Sequence, residues 1–180
     1  MAQKNLNTKT YWDEIWMTQS KTHFSRRLEK ILMDSVDPEV SVLDIGCGTG
    51  RVLRGLQKDK KCSVFGMDIS QVSINILSFY KIPGMCVDAD ELSDITPTDV
   101  VILSHTLEHV NDDKALIKKI AKRVKKYLIV AVPNDCMGPE EEPEHLRQYT
   151  KESLTALLSP HFKRIDDLSS GVHLILKAYA

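Results

Sequence analysis

Three alternating glycines end the segment Val42-Leu43-Asp44-Ile45-Gly46-Cys47-Gly48-Thr49-Gly50. Without Cβ atoms, a turn built this way adopts unusual dihedrals and lets its backbone approach a ligand closely. Asp44, Gly46, Cys47, Gly48 and Gly50 are therefore candidate ligand contacts. Downstream, Asp68 and Ile69 follow a second apolar run. A carboxylate placed there can accept both hydroxyls of a ribose. A dinucleotide loop would carry glycine at position 51, where Arg51 stands, which disfavours NAD and FAD. Three histidines complete the reactive set: His105, His109 and His145. Imidazole titrates near neutrality, so each can take a proton from an incoming acceptor. His105 is the first choice as base, and a ring packed beneath a ligand is its alternative. Were residues 105–109 helical, His105, Glu108 and His109 would share one face, and with His145 could present metal ligands. No metal is expected, and this ligand set is the alternative to that expectation.

These residues need elements to hold them. Residues 40–45 read as a strand and Arg51 to Lys58 as a helix. Cys62 to Met67 reads as a second strand, and Ser70 can cap a helix running to about Tyr80. A short strand is placed around 85–87. Residues 99–103 form a nearly continuous apolar run, the mark of a strand buried on both faces. Asp112 can cap a helix carrying Leu116, Ile117, Ile120, Ala121 and Val124. Tyr127 to Val132 reads as a buried strand stopped by Pro133, and 134–149 as a loop. Thr150 can cap a helix through Leu158, and residues 161–168 and 172–179 read as a hairpin. Upstream, Thr22 to Met33 reads as one amphipathic helix, after an aromatic segment with Tyr11, Trp12 and Trp16. Alternating strands and helices predict an α/β fold: a Rossmann-like, doubly wound, mostly parallel sheet with a carboxy-terminal antiparallel hairpin and helices on both faces. The expected organisation is an aromatic segment and helix over 1–35, read as a lid, and a core over 36–180, together one domain.

In this order the segments resemble class I S-adenosylmethionine-dependent methyltransferases of the small-molecule branch, from about residue 40 onward. The glycine segment resembles the family's first motif, which holds the methionyl part of the cofactor, and Asp68 its ribose-binding acid. Asp88-Ala89 looks like the adenine-contacting segment. Ser104-His105-Thr106-Leu107-Glu108-His109-Val110 is similar to the stretch after the fourth strand. His145-Leu146-Arg147-Gln148-Tyr149-Thr150 resembles the stretch before the last helix. Some relatives carry Glu-x-x-Glu-His where this chain has His105-x-x-Glu108-His109. The resemblance implies S-adenosylmethionine as cofactor, held by Asp44, Gly46, Cys47, Gly48, Gly50, Asp68, Ile69, Asp88, Ala89 and Ser104. It implies an acceptor met by His105, His109 and His145 with Tyr11, Trp16 and Tyr149.

Composition limits the rest. The 180 residues suffice for one domain without disulfide or metal support. A net charge of -1 gives no bulk pull toward nucleic acid, and none is expected as partner. Lys114, Lys118, Lys119, Lys122, Arg123, Lys125 and Lys126 read as the solvated face of a helix. The polar amino terminus and the lack of a long apolar run predict neither signal peptide nor membrane span. With no Cys-x-x-Cys pair, three of the cysteines read as small buried thiols in a reducing, cytoplasmic setting. No Asn-Pro-Pro-Tyr turn and no Pro-Cys nucleophile follow the fourth strand, which points away from DNA adenine and cytosine C5 chemistry. A small-molecule acceptor is expected. The rivals are a catalytically inactive cofactor-binding partner subunit and an NAD-dependent oxidoreductase.

Overall fold

A computed structural model describes residues 5–18, 25–134 and 137–180. In chain order the elements are α1 (Lys9–Thr18), α2 (Arg26–Ser35), β1 (Ser41–Ile45), α3 (Arg51–Lys60), β2 (Ser63–Asp68), α4 (Gln71–Phe79), β3 (Gly84–Cys86), β4 (Thr98–Ser104), α5 (Asp113–Ala121), β5 (Val124–Pro133), α6 (Lys151–Leu158), β6 (Arg164–Asp167) and β7 (His173–Tyr179). Short 3-10 turns follow β3 and β4, at Ala89–Glu91 and Leu107–His109.

The strands form one sheet in the order β3-β2-β1-β4-β5-β7-β6. All neighbours are parallel except β7, which runs antiparallel to β5 and β6. The continuous apolar runs have a simple cause. On β4, Val101 and Leu103 enter the core on one face while Val100 and Ile102 enter the core on the other. On β5, Leu128, Val130 and Val132 alternate in the same way with Tyr127, Ile129 and Ala131. A strand covered on both sides has no solvent face to make polar. On α3, Leu53 and Leu56 are fully buried, each contributing roughly 2 kcal/mol.

Polar residues punctuate the helices as the sequence implies. Ser70, Asp112 and Thr150 accept from Ser73, Ala115 and Ser153 backbone amides at the starts of α4, α5 and α6. Several boundaries differ from expectation. The helix expected from Thr22 starts at Arg26, where Ser25 accepts from the Leu28 amide, and residues 22–24 lie outside the described residues. α5 stops at Ala121, so Val124 opens β5 instead of extending the helix. Lys122, Arg123, Lys125 and Lys126 thus leave the helix, and Arg123 forks onto Asp94 at 2.6 and 2.8 Å. Pro133 lies within β5, opposite His173. The first hairpin strand is only four residues, because neither His161 nor Leu168 enters the ladder. Cys62 is buried, whereas Cys47 and Cys86 are partly exposed; Cys136 lies outside the described residues. α2 buries Leu28 and Leu32 in the core beneath β1, so half of the expected lid segment is core. No helix among the described residues is long and apolar enough to cross a membrane.

Candidate active site

The parallel strands present their carboxyl ends at one edge, and the glycine loop leaves β1 there. Gly46, Gly48 and Gly50 all take positive φ, at 76°, 51° and 68°. At Gly46 the requirement is steric as well, since a Cβ would stand 2.1 Å from Thr106 Oγ1. Gly46 and Cys47 donate their amides to the Met67 carbonyl at 2.7 and 3.0 Å, tying the loop to β2. Gly50 serves the entry to α3 and does not line the cavity.

Two acids flank the loop. Asp68 ends β2 and accepts from the Gly48 amide at 2.8 Å and the Ser70 amide at 2.9 Å. Burial pushes its pKa up to about 6 despite those bonds. Asp44 is buried, and among the described residues no group donates to its Oδ1. Burial, and then the charge of Asp68, push Asp44 up to about 7. An unpartnered acid beside a second acid is a site that favours a cation.

Beyond Asp68 a recess of about 90 Å³ is lined by Ile69, Asp88 and Ala89. Asp88 accepts from the Asp90 amide and so starts the 3-10 turn after β3. Asp90 in turn accepts from both amides of Asn111 and from the Asp112 backbone. The acidic stretch thereby braces the segment after β4 and is more than a solvated loop.

That segment carries the histidines. His105 has a left-handed φ of 51°, which breaks any helix over 105–109. Its Nε2 lies 3.2 Å from His173 Nδ1, and its Nδ1 lies 3.3 Å from Glu108 Oε1. Burial alone would raise the Glu108 pKa, but the imidazoles of His105 and His109 bring it below the usual value. His109 Nδ1 faces the Glu144 carbonyl at 3.1 Å and His145 Nδ1 the Met137 carbonyl at 2.7 Å. Each ring thus turns an Nδ1–H toward a backbone carbonyl. Burial holds the His109 pKa below its ordinary value. Glu108, His109 and His145 bring one donor atom each within 4.8 Å, so this trio, without His105, is the set that could hold a metal ion.

A cleft of about 940 Å³ joins these parts, with Asp44, Cys47 and Ser104 at the loop and His105, His109, His145 and His173 at the other wall. α1 lies across it. Trp12 and Trp16 line both cleft and recess, and a Cβ at Gly48 would come within 2.8 Å of the Trp16 ring. Asp13 anchors α1 by accepting from Ser70 Oγ at 2.6 Å and the Val72 amide at 3.1 Å. Burial opposes its charge, yet bonds from Lys9, Ser70 and Val72 hold its pKa at about 2.

Two expected acceptor contacts are corrected. Tyr149 is buried in the core and donates to Asp113 at 2.7 Å, away from the cleft. Tyr11 packs edge-on against Trp12 and does not line the cleft; Trp12 takes that place. Sequence reading also missed His173 and Arg147. The guanidinium of Arg147 donates to the Leu107, Val110 and Asn111 carbonyls and so clamps the histidine-bearing turn.

A family profile described as "Methyltransferase domain" matches residues 15–167. The chain belongs to this methyltransferase family. A ubiquinone biosynthesis O-methyltransferase of Idiomarina loihiensis is 34% identical over 92 residues, covering 47% of this chain and 37% of that protein. A malonyl-[acyl-carrier protein] O-methyltransferase of Priestia megaterium is 26% identical over 126 residues, covering 67% of this chain and 45% of that protein. The matches span less than half the length of these two relatives. A crystal structure of an S-adenosylmethionine-dependent methyltransferase from Archaeoglobus fulgidus superposes with a TM-score of 0.75 at 20% identity, covering 93% of this chain and all of that one. The methyltransferase fold is thus the class I, Rossmann-like sheet with its antiparallel hairpin.

Proposed function

We propose that this methyltransferase transfers a methyl group from S-adenosylmethionine to a small-molecule acceptor. The carrying observation is the buried, unpartnered oxygen of Asp44 beside Asp68, at the end of a glycine loop and open to a cleft. S-adenosylmethionine brings two cationic centres, an ammonium and a sulfonium, and its sulfonium supplies an electrophilic methyl group. The donor set fits it. Asp44 offers its free oxygen to the ammonium. Asp68 takes the ribose hydroxyls, and Ile69, Asp88 and Ala89 form the adenine wall. Loop amides without side chains admit the methionyl part. Ser104 and Cys47 complete the wall nearest the reacting atoms.

The chain's remaining work is alignment and exclusion of water. α1 closes one side through Trp12 and Trp16, which is the lid reading narrowed to that helix. His105, His109 and His145 line the acceptor end of the cleft. A small acceptor is supported by the absence of any inserted domain among the described residues. The paired state of Arg123 and the bond from Lys119 to the Leu92 carbonyl argue against a nucleic-acid surface on α5 and the turn that follows it. Free thiols at Cys47, Cys62 and Cys86 suit a cytoplasmic setting.

The test is release of S-adenosylhomocysteine from S-adenosylmethionine over a panel of small hydroxyl, amino and thiol compounds. Acceptor-dependent release supports the enzyme. Tight cofactor binding with no release across the panel supports a cofactor-binding partner subunit instead.

A further inference from the structure

His173 is the first residue of β7. Because β7 runs antiparallel, its first residue lies at the edge where the parallel strands end, opposite Pro133 of β5. There it meets His105, which follows β4. Both rings line the cleft, and His105 also lines the recess that takes the adenosine end.

The charge of Glu108 orients the pair. Glu108 is 1% exposed, and its Oε1 faces His105 Nδ1 at 3.3 Å. A carboxylate this close accepts only, and so favours an N–H on His105 Nδ1. With that tautomer, the 3.2 Å contact is a His173 Nδ1–H donating to His105 Nε2. His173 Nε2 is left with a lone pair and no partner among the described residues. The groups facing His173 are His105, from the segment after β4, and Arg27 of α2; burial first, then both of these, lower its pKa. It is held neutral, as a base must be. The left-handed φ of His105 turns its ring into this chain, and backbone strain in a non-glycine residue gathers where geometry is over-determined.

Resting on the methyl-transfer reading, we propose that His173 is the residue that takes the acceptor's proton, with His105 and Glu108 behind it as positioning residues, and that the acceptor atom is a hydroxyl or thiol. In the step, the acceptor's oxygen or sulfur forms a bond to the methyl carbon. The carbon–sulfonium bond breaks and its electron pair stays on sulfur. The acceptor's proton passes to His173 Nε2, and the resulting imidazolium is backed by His105 and the Glu108 carboxylate. A free amine needs no such base before it attacks, whereas a neutral hydroxyl does.

The test reads protons directly. Long-range nitrogen–proton spectra of the histidine rings are recorded on wild-type protein saturated with S-adenosylhomocysteine at pH 7.5. The expected result is His105 and His173 both protonated on Nδ1 only. His105→Gln should change the His173 nitrogen shifts. A His173 proton on Nε2, or a charged His173, overturns the proposal. Kinetics add a second reading with two phenols, 4-nitrophenol (largely ionised at pH 8) and 4-methoxyphenol (not ionised there). His173→Gln should cost about 100-fold with 4-methoxyphenol and little with 4-nitrophenol. Equal loss with both marks a structural role and contradicts the proposal. If wild-type protein methylates neither phenol, the spectra decide. Failure of wild-type protein to bind S-adenosylhomocysteine at all defeats the methyl-transfer reading, a result distinct from failure of the histidine pair.

Discussion

The backbone amide of Gly48 donates to Asp68 Oδ2 at 2.8 Å, so the glycine loop and the acid that ends β2 are one unit. The bond crosses from the segment after β1 to the end of its neighbour. It fixes the height of the loop above the sheet edge, and it leaves Asp44 beneath the loop without a partner for Oδ1.

That arrangement makes the protein's pH response run against the usual carboxylate pattern. Asp44 and Asp68 are raised to about 7 and about 6 from an ordinary 3.8. The folded state therefore holds more protons than the unfolded one between about pH 4 and pH 7. Their contribution to stability is fully present below about pH 4 and is lost as pH rises through 6 to 7. A cationic ligand reverses the cost. Thermal melts should show a larger stabilisation by S-adenosylmethionine at pH 7.5 than at pH 5.5, with the difference reduced in Asp44→Asn. Equal stabilisation at both values would contradict the charge argument.

Gly46→Ala should destabilise the fold. The substitution puts a side chain at a φ of 76°, costing about 1–2 kcal/mol, and drives its Cβ into Thr106 Oγ1. A fall in Tm of roughly 5 °C is expected. The double variant Gly46→Ala, Thr106→Ala should recover only part of it, since the residue-106 Cβ still stands 2.9 Å away and the backbone stays strained. Full recovery would show that φ contributes nothing.

Asp13→Ala should loosen α1 without unfolding the core. Its bonds to Ser70 and Val72 are the polar anchor of α1 on α4, while Ile15 is its one buried residue. Affinity for S-adenosylhomocysteine should fall about tenfold, consistent with roughly 1.4 kcal/mol, with Tm nearly unchanged. Removal of residues 1–20 should act in the same direction and further. Unchanged affinity in both variants would remove α1 from the cofactor site.

The account assigns no cation to Glu108, His109 and His145, because the Glu108 charge already faces the imidazoles of His105 and His109. Extensive dialysis against a chelator should leave affinity for S-adenosylhomocysteine and turnover unchanged. One equivalent of zinc retained by the wild-type protein and lost in Glu108→Gln would put a metal at the trio.

Much of this was readable in advance because local chemistry dictates it. Apolar runs at 100–103 and 127–132 announced strands buried on two faces. Ser70, Asp112 and Thr150 announced helix starts, and the glycines announced a ligand loop. The misreadings share one cause, namely contacts between residues far apart in the chain. His173 looked like the start of a hairpin strand, and only strand direction brings it to His105, 68 residues away. Tyr149 looked like a pocket residue until its hydroxyl found Asp113. The helical condition behind the metal alternative at 105–109 is not met, because His105 takes a left-handed φ, which its residue type does not announce. Val124 continued a helical period in sequence, yet its amphipathic spacing served the first position of β5.

The most direct test of the central claim is calorimetric titration of the protein with S-adenosylmethionine, S-adenosylhomocysteine and NAD in parallel, with Asp68→Ala as control. The account expects micromolar binding of both adenosyl ligands, none of NAD, and loss of about 30-fold or more in the control, from a charge-assisted contact worth about 2 kcal/mol. Preference for NAD, or adenosyl binding that Asp68→Ala leaves intact, would contradict it.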